Sequence, residues 1–124
     1  MKTIIAGSRR VPVRGNAELI ARAVEKSEFV VTEVVSGGAE GVDRLGELWA
    51  KEHGIMVRRF LPDYDALPPS NRWRAPLLRN CRMAEYADAL IAIWDGRSRG
   101  TIDMIRNARK RGLKIHIERM AWAT

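Results

Sequence analysis

Three short segments of the chain combine glycine with hydroxyl and charged side chains, a combination suited to an anionic ligand. They are Gly7-Ser8-Arg9, Ser36-Gly37-Gly38-Ala39-Glu40-Gly41-Val42-Asp43, and Asp95-Gly96-Arg97-Ser98-Arg99-Gly100-Thr101. Glycine at a strand-to-helix turn lets backbone N–H groups approach a ligand closely. The helix that follows adds unpaired N–H groups and a partial positive charge. Together these suit a phosphate or a carboxylate. Neither longer segment is a Walker loop, because no Gly-Lys-Ser/Thr follows, and neither is the dinucleotide fingerprint after a first strand. Each alone is also what a tight turn requires.

Other side chains extend this chemistry. Asp43 falls at a helix start, where it either caps the helix or holds a ribose hydroxyl. Arg72, Arg74, Arg79 and Arg82 surround Trp73, an arrangement that serves either to grip phosphates and stack a base or as a solvated loop. Trp94 ends an apolar run at the same crevice and is the other candidate for base stacking. His53 and His116 are too far apart for a local metal motif, and His116 is expected to face away from Ile115 and Ile117. Ser8, Ser36 and Ser98 have no evident base partner, so no nucleophilic triad is indicated. Cys81 is the single cysteine, which excludes an intrachain disulfide and a Cys-rich zinc site. No metal and no cofactor is expected.

These segments need elements to hold them, and apolar periodicity supplies an alternation of strands and helices. Thr3 to Ala6 reads as a buried strand closed by Gly7. Asn16 is the expected N-cap of a helix with Leu19, Ile20, Ala23 and Val24 on one face. Val30 to Val35 reads as the second strand, Gly41 to His53 as a helix stopped by Gly54, and Ile55 to Phe60 as the third strand. Leu61 to Pro76 holds four prolines and is expected to be irregular, with a possible lid role. Leu77 to Tyr86 reads as a helix, Ala89 to Trp94 as the central strand, Thr101 to Arg111 as a helix, and Leu113 to Ile117 as the last strand. Trp49 and the helix methionines are expected in the core.

Near-continuous apolar strands alternating with helices imply an α/β fold: a Rossmann-like, doubly wound parallel sheet of about five strands with helices on both faces. Right-handed crossovers give the order 3-2-1-4-5. Ligands in such sheets bind outside the carboxyl ends of the strands, where the winding reverses. That puts the three glycine-rich loops around one crevice.

The 124 residues are the size of one domain, residues 1–124, with enough chain for a real core. No apolar run approaches the roughly 20 residues of a membrane span, and the apolar start is too short for a signal peptide. A cytoplasmic protein is expected. The net charge is +7, and arginines outnumber lysines seventeen to five. Arginine suits bidentate grips on phosphate, so this balance favours an anionic partner or simply a solvated surface.

Four segments in order resemble the YspA/YpsA-like small branch of the SLOG superfamily, found in bacteria and phages. They are Ile5 to Arg9, Ser36 to Asp43, Arg79 to Ala84, and Ala87 to Gly96 continuing through Ser98 to Thr101. The superfamily groups DprA/Smf DNA-binding proteins with the LOG phosphoribohydrolases. The resemblance implies a Rossmann-like fold whose glycine-rich loops bind a nucleotide or nucleotide-derived ligand. By position, Gly7, Ser8 and Arg9 match the first loop, Gly37, Gly38, Gly41 and Asp43 the second, and Gly96, Ser98, Gly100 and Thr101 the third. Ser36, Arg79, Asn80, Trp94 and Asp95 complete the expected ligand-binding set. LOG enzymes cleave the N-glycosidic bond of nucleoside monophosphates, using an Arg-Lys-x-x-Met helix start and a Pro-Gly-Gly-x-Gly-Thr-x-x-Glu loop. Here Asn80 replaces the Lys and Met104 falls at the Glu position. Asp103 is one residue early, about 100° around a helix.

The expected function is binding of a nucleoside phosphate or ADP-ribose-like ligand for sensing or sequestration. One alternative is a LOG-like hydrolase with Arg79 and Asp103 as catalytic residues, Asp95 and Glu40 being the other carboxylates that could serve. Another is a DNA- or RNA-binding module. A homodimer is expected in each case.

Overall fold

The computed structural model describes residues 1–120. Five parallel strands form one sheet in the order β3-β2-β1-β4-β5. They are β1 (Lys2–Gly7), β2 (Glu33–Ser36), β3 (Met56–Arg59), β4 (Ala89–Trp94) and β5 (Lys114–Arg119). The helices are α1 (Ala17–Ser27), α2 (Val42–Glu52), α3 (Ala75–Tyr86) and α4 (Arg99–Lys110). The winding reverses between β1 and β4, whose register pairs Thr3 with Ala89 and Gly7 with Ile93.

Side chains alternate across the central strands and build two cores. Ile5, Val34, Ile91 and Ile93 face α1 and α2, where they meet Ile20, Leu45, Trp49 and Ala50. Ile4, Val35, Leu90 and Ala92 face α3 and α4, where they meet Met83, Met104 and Ile105. The central strands read as unbroken apolar runs because both of their faces are covered. Each fully buried Ile or Leu stabilises the fold by about 1.5–3 kcal/mol through burial.

The element order agrees with the sequence reading, and the boundaries differ where local chemistry decides. Strand β2 starts at Glu33, not Val30. Its ladder opens only opposite Lys2, and the Thr32 amide donates to the Met1 carbonyl. Strand β3 is Met56–Arg59, shorter than expected at both ends. The stretch 61–76 is not wholly irregular: it holds two 3₁₀ turns, Tyr64–Ala66 and Pro69–Arg74. The Asp63 carboxylate accepts the Ala66 amide across the first turn at 3.2 Å. Helix α3 starts at Ala75 with Pro76 inside its first turn. Proline fits there because the first amides of a helix need no partner within it. Helix α4 starts at Arg99, two residues before Thr101. Asn16 stands at the N-cap of α1 without capping it; its side-chain amide donates to the Pro12 carbonyl instead.

Candidate functional site

The loops after β1, β2 and β4 surround a cleft of about 940 Å³ at the carboxyl ends of the strands. Gly7, Ser8, Arg9 and Arg10 line it from the first loop, and Gly37 and Ala39 from the second. Asp95, Arg97 and Ser98 line it from the third. Helices α2, α3 and α4 contribute Asp43, Arg79 and Asn80, and Gly100, Thr101 and Met104. This volume falls in the ~300–1,000 Å³ range of small-molecule clefts.

Arg79 is the anchor of this arrangement. It is 8% exposed and fixed on three sides. Its Nε donates to Asn80 Oδ1 at 3.1 Å, and its Nη1 donates to the carbonyls of Gly37 at 2.5 Å and Phe60 at 3.3 Å. Its Nη2 has no hydrogen-bond partner among the described residues. Burial draws the guanidinium pKa down and the nearby Asp43 charge opposes that. The group stays charged because an arginine does not lose its proton in a protein.

Asp43 lies in the first turn of α2 and is 7% exposed. Its Oδ2 accepts the Ala39 amide at 3.2 Å, and its Oδ1 has no partner among the described residues. Burial raises its pKa to about 6. The Ala39 hydrogen bond, Arg79 and Arg9 pull the other way, and Glu47 adds to the rise.

Glycine at position 37 is what lets these groups meet. A Cβ there would lie 2.6 Å from Arg79 Nη1 and 2.9 Å from Asp43 Oδ2. Gly41 caps α2 with φ +75°, and a Cβ on it would strike the Ser8 carbonyl. That carbonyl accepts the Val42 amide at 3.1 Å, so the close approach ties the first loop to the start of α2.

The third loop is organised by its own side chains. Asp95 Oδ1 accepts the amides of Arg97 at 2.8 Å and Ser98 at 2.9 Å, which lowers the Asp95 pKa. Ser98 Oγ accepts the Thr101 amide and the Thr101 hydroxyl. The Thr101 hydroxyl is therefore engaged within the helix start.

Several expected residues stand outside the cleft. Ser36 is fully buried beneath it, and its hydroxyl donates to Glu47 Oε2 at 2.7 Å. Glu47 is also held by Arg59 through two contacts, at 2.6 and 3.1 Å. Gly38 and Gly41 line a neighbouring cleft of about 590 Å³, which shares Arg9, Arg10 and Ala39 with the first. Gly96 lies against the Arg119 guanidinium.

Trp94 packs against the core beneath α3 and α4, with the Arg119 guanidinium 5.6 Å from its ring centre. Strand alternation puts it on the face of Leu90 and Ala92. Neither it nor the exposed Trp73 lines the cleft. Asp103 is outside as well: its Oδ2 accepts from Asn80 Nδ2 at 3.0 Å and Asn107 Nδ2 at 3.2 Å. Its neighbour Met104 lines the cleft wall instead.

The expected ligand-binding set left out Arg10, Ala39, Pro76, Leu77, Met83, Arg97 and Met120, all of which line the cleft, although Ala39 and Arg97 stand inside the glycine-rich loops. Arg10 and Arg97 carried a usable signal, since each is a cation inside or beside a glycine-rich loop. Among the described residues, no cluster of three His, Cys, Asp or Glu could hold a metal, and no helix is long and apolar enough to cross a membrane.

A family model described as YAcAr, the YspA, cpYpsA-related SLOG family, matches residues 1–66. No curated protein matches the chain. Among solved structures, DNA processing protein A (DprA) of Streptococcus pneumoniae is similar, with a TM-score of 0.69 and 18% identity. The match covers 94% of this chain and 49% of that one, so the chain spans about half of DprA. TM1055, a structural genomics target, has a TM-score of 0.66 and 23% identity over 93% of this chain and 72% of its own. At such identities these likenesses concern the fold.

Proposed function

The chain belongs to the YspA, cpYpsA-related SLOG family, and from that premise we propose that the cleft binds a nucleotide or nucleotide-derived anion for sensing or sequestration. A nucleoside phosphate or an ADP-ribose-like molecule fits this description. The observation that carries the reading is Arg79: a buried, rigidly held guanidinium with one nitrogen left without a protein partner on the cleft wall. The rest of the guanidinium is already held by protein groups, so the remaining nitrogen is placed to donate to an anion in the cleft. Arg9, Arg10 and Arg97 around the cleft add to the positive field.

The test is mass spectrometry of small molecules released on denaturing the purified protein, followed by titration with AMP and ADP-ribose. The Arg79→Gln variant should bind about tenfold to a hundredfold more weakly, the range for loss of a charge-assisted hydrogen bond. Undiminished affinity in a folded variant would remove Arg79 from the binding site.

A second reading, hydrolysis of an N-glycosidic bond, is favoured by one observation. Asp43 has a pKa of about 6 and sits beside Arg79, a suitable value for proton transfer near neutral pH. This moves the candidate carboxylate from Asp103, which other side chains hold outside the cleft, to Asp43. Base release from AMP that survives in Asp103→Asn and is lost in Asp43→Asn would establish it. No base release by the wild type would end it.

A further inference from the structure

We infer that Asp43 selects ligands that carry a free hydroxyl near their phosphate, so that ribonucleotides bind and the matching deoxynucleotides are rejected. This deepens the nucleotide reading of the cleft and rests on it.

Two unsatisfied groups of opposite character share one end of the cleft. Asp43 is more than nine-tenths buried, lines the cleft, and keeps one carboxylate oxygen without a partner among the described residues. Arg79 lines the same cleft with one nitrogen in the same condition. Both groups come within 2.9 Å of the point where a Gly37 Cβ would stand, so they are neighbours. A guanidinium only donates, and an ionised carboxylate only accepts. A bare anion would satisfy Arg79 and leave the Asp43 oxygen facing like charge. A ligand that satisfies both presents an acceptor and, close by, a donor, as a phosphorylated sugar with a free hydroxyl does. A bound ligand without that hydroxyl covers the carboxylate oxygen and leaves it unpaired, the circumstance in which a site discriminates most strongly.

The groups around Asp43 set the pH range of this selection. Glu47 acts from its own helix, Arg79 from α3, Arg9 from the loop after β1, and the Ala39 amide from the loop after β2. Their balance with burial gives a pKa of about 6. Above that value the carboxylate accepts with the help of its charge; below it the neutral group accepts more weakly.

The experiment measures dissociation constants of AMP, 2′-deoxy-AMP and 3′-deoxy-AMP by calorimetry, at about pH 7.5 and about pH 5. The ratio of deoxy to ribo affinity cancels the titration of the phosphate itself. In the wild type one deoxy form should bind at least about tenfold more weakly at the higher pH, and this ratio should shrink at the lower one. In Asp43→Ala, which has no side-chain acceptor, the ratio should stay near unity at both. Equal wild-type affinities for all three ligands would overturn the inference and leave the nucleotide reading standing. A tenfold ratio that persists in Asp43→Ala, or one that does not respond to pH, would also overturn it. Failure of all three to bind the wild type would overturn both readings together. The wild-type pH comparison stands without the variant, should the variant not fold.

Discussion

Of the helices that begin at the cleft, α2 and α4 each have an aspartate near the start, and these two starts are built in opposite ways. At α4 the carboxylate precedes the helix, remains accessible, and accepts the amides of Arg97 and Ser98, while Ser98 caps Thr101. At α2 the carboxylate lies inside the first turn, is buried, and accepts one amide from the loop before it; the Gly41 cap offers no side chain. The first aspartate has its pKa lowered and the second has it raised. A carboxylate that already fills a loop's amides competes with a ligand phosphate for them, so the α4 loop is largely self-satisfied. The α2 start keeps its acceptor and the adjacent guanidinium in reserve. Similar glycine-rich sequences thus produce a closed helix start and an open one.

Glycine substitution should separate the two starts most sharply. Gly41→Ala forces an L residue to φ +75° and drives a methyl onto the Ser8 carbonyl, and should destabilise by about 3 kcal/mol or more. Gly100→Ala, in the first turn of α4, meets nothing within 4 Å and should be neutral or stabilising by up to about 1 kcal/mol. Urea unfolding of both variants measures the difference, and equal losses would break the contrast.

The next effect comes from pH. Because the folded pKa of Asp43 is raised from 3.8 to about 6, its contribution to stability is full below pH 3.8 and is lost as pH rises through 6. Asp43→Asn should therefore stabilise the fold at about pH 8 by about 2–3 kcal/mol, with the gain vanishing in acid. Asp95 works in the opposite sense. Its lowered pKa gives stability that is present above 3.8 and lost as pH falls through its folded value. Asp95→Asn should lose stability at neutral pH and converge with the wild type in strong acid. Denaturant midpoints across pH would expose two profiles of opposite slope; parallel profiles would contradict the account. The smallest effect expected is Ser98→Ala, about 1 kcal/mol for loss of an N-cap, read in the same unfolding assay.

Strand order and the cleft's position were legible because they follow from coarse pattern. The uninterrupted apolar run Ala89–Trp94 needs cover on both faces, and right-handed crossovers then leave little choice of topology. Trp94, a candidate for base stacking, does not line the cleft, and its parity with Leu90 and Ala92 assigns it to the α3–α4 face. The helical offset between Asp103 and Met104 was readable, and the structure has Met104 on the cleft wall with Asp103 turned to two asparagines. The state of Asp43 was not readable, since its desolvation depends on Arg79 and the Gly37 loop converging from distant parts of the chain. The same holds for Glu47, whose partners Ser36 and Arg59 come from two neighbouring strands.

The pairing of Thr3 with Ala89 at the sheet's centre also has a consequence for how the chain acquires its shape. The Lys2 amide donates to the Asp88 carboxylate, a contact between residues 86 positions apart. While the chain emerges during synthesis, β1 can pair with β2 early but keeps its other edge open until most of the sequence has followed. Long-range parallel pairing of this kind is slow to close. The open edge of β1 is then an invitation to association with other nascent chains, and β4 removes it by docking.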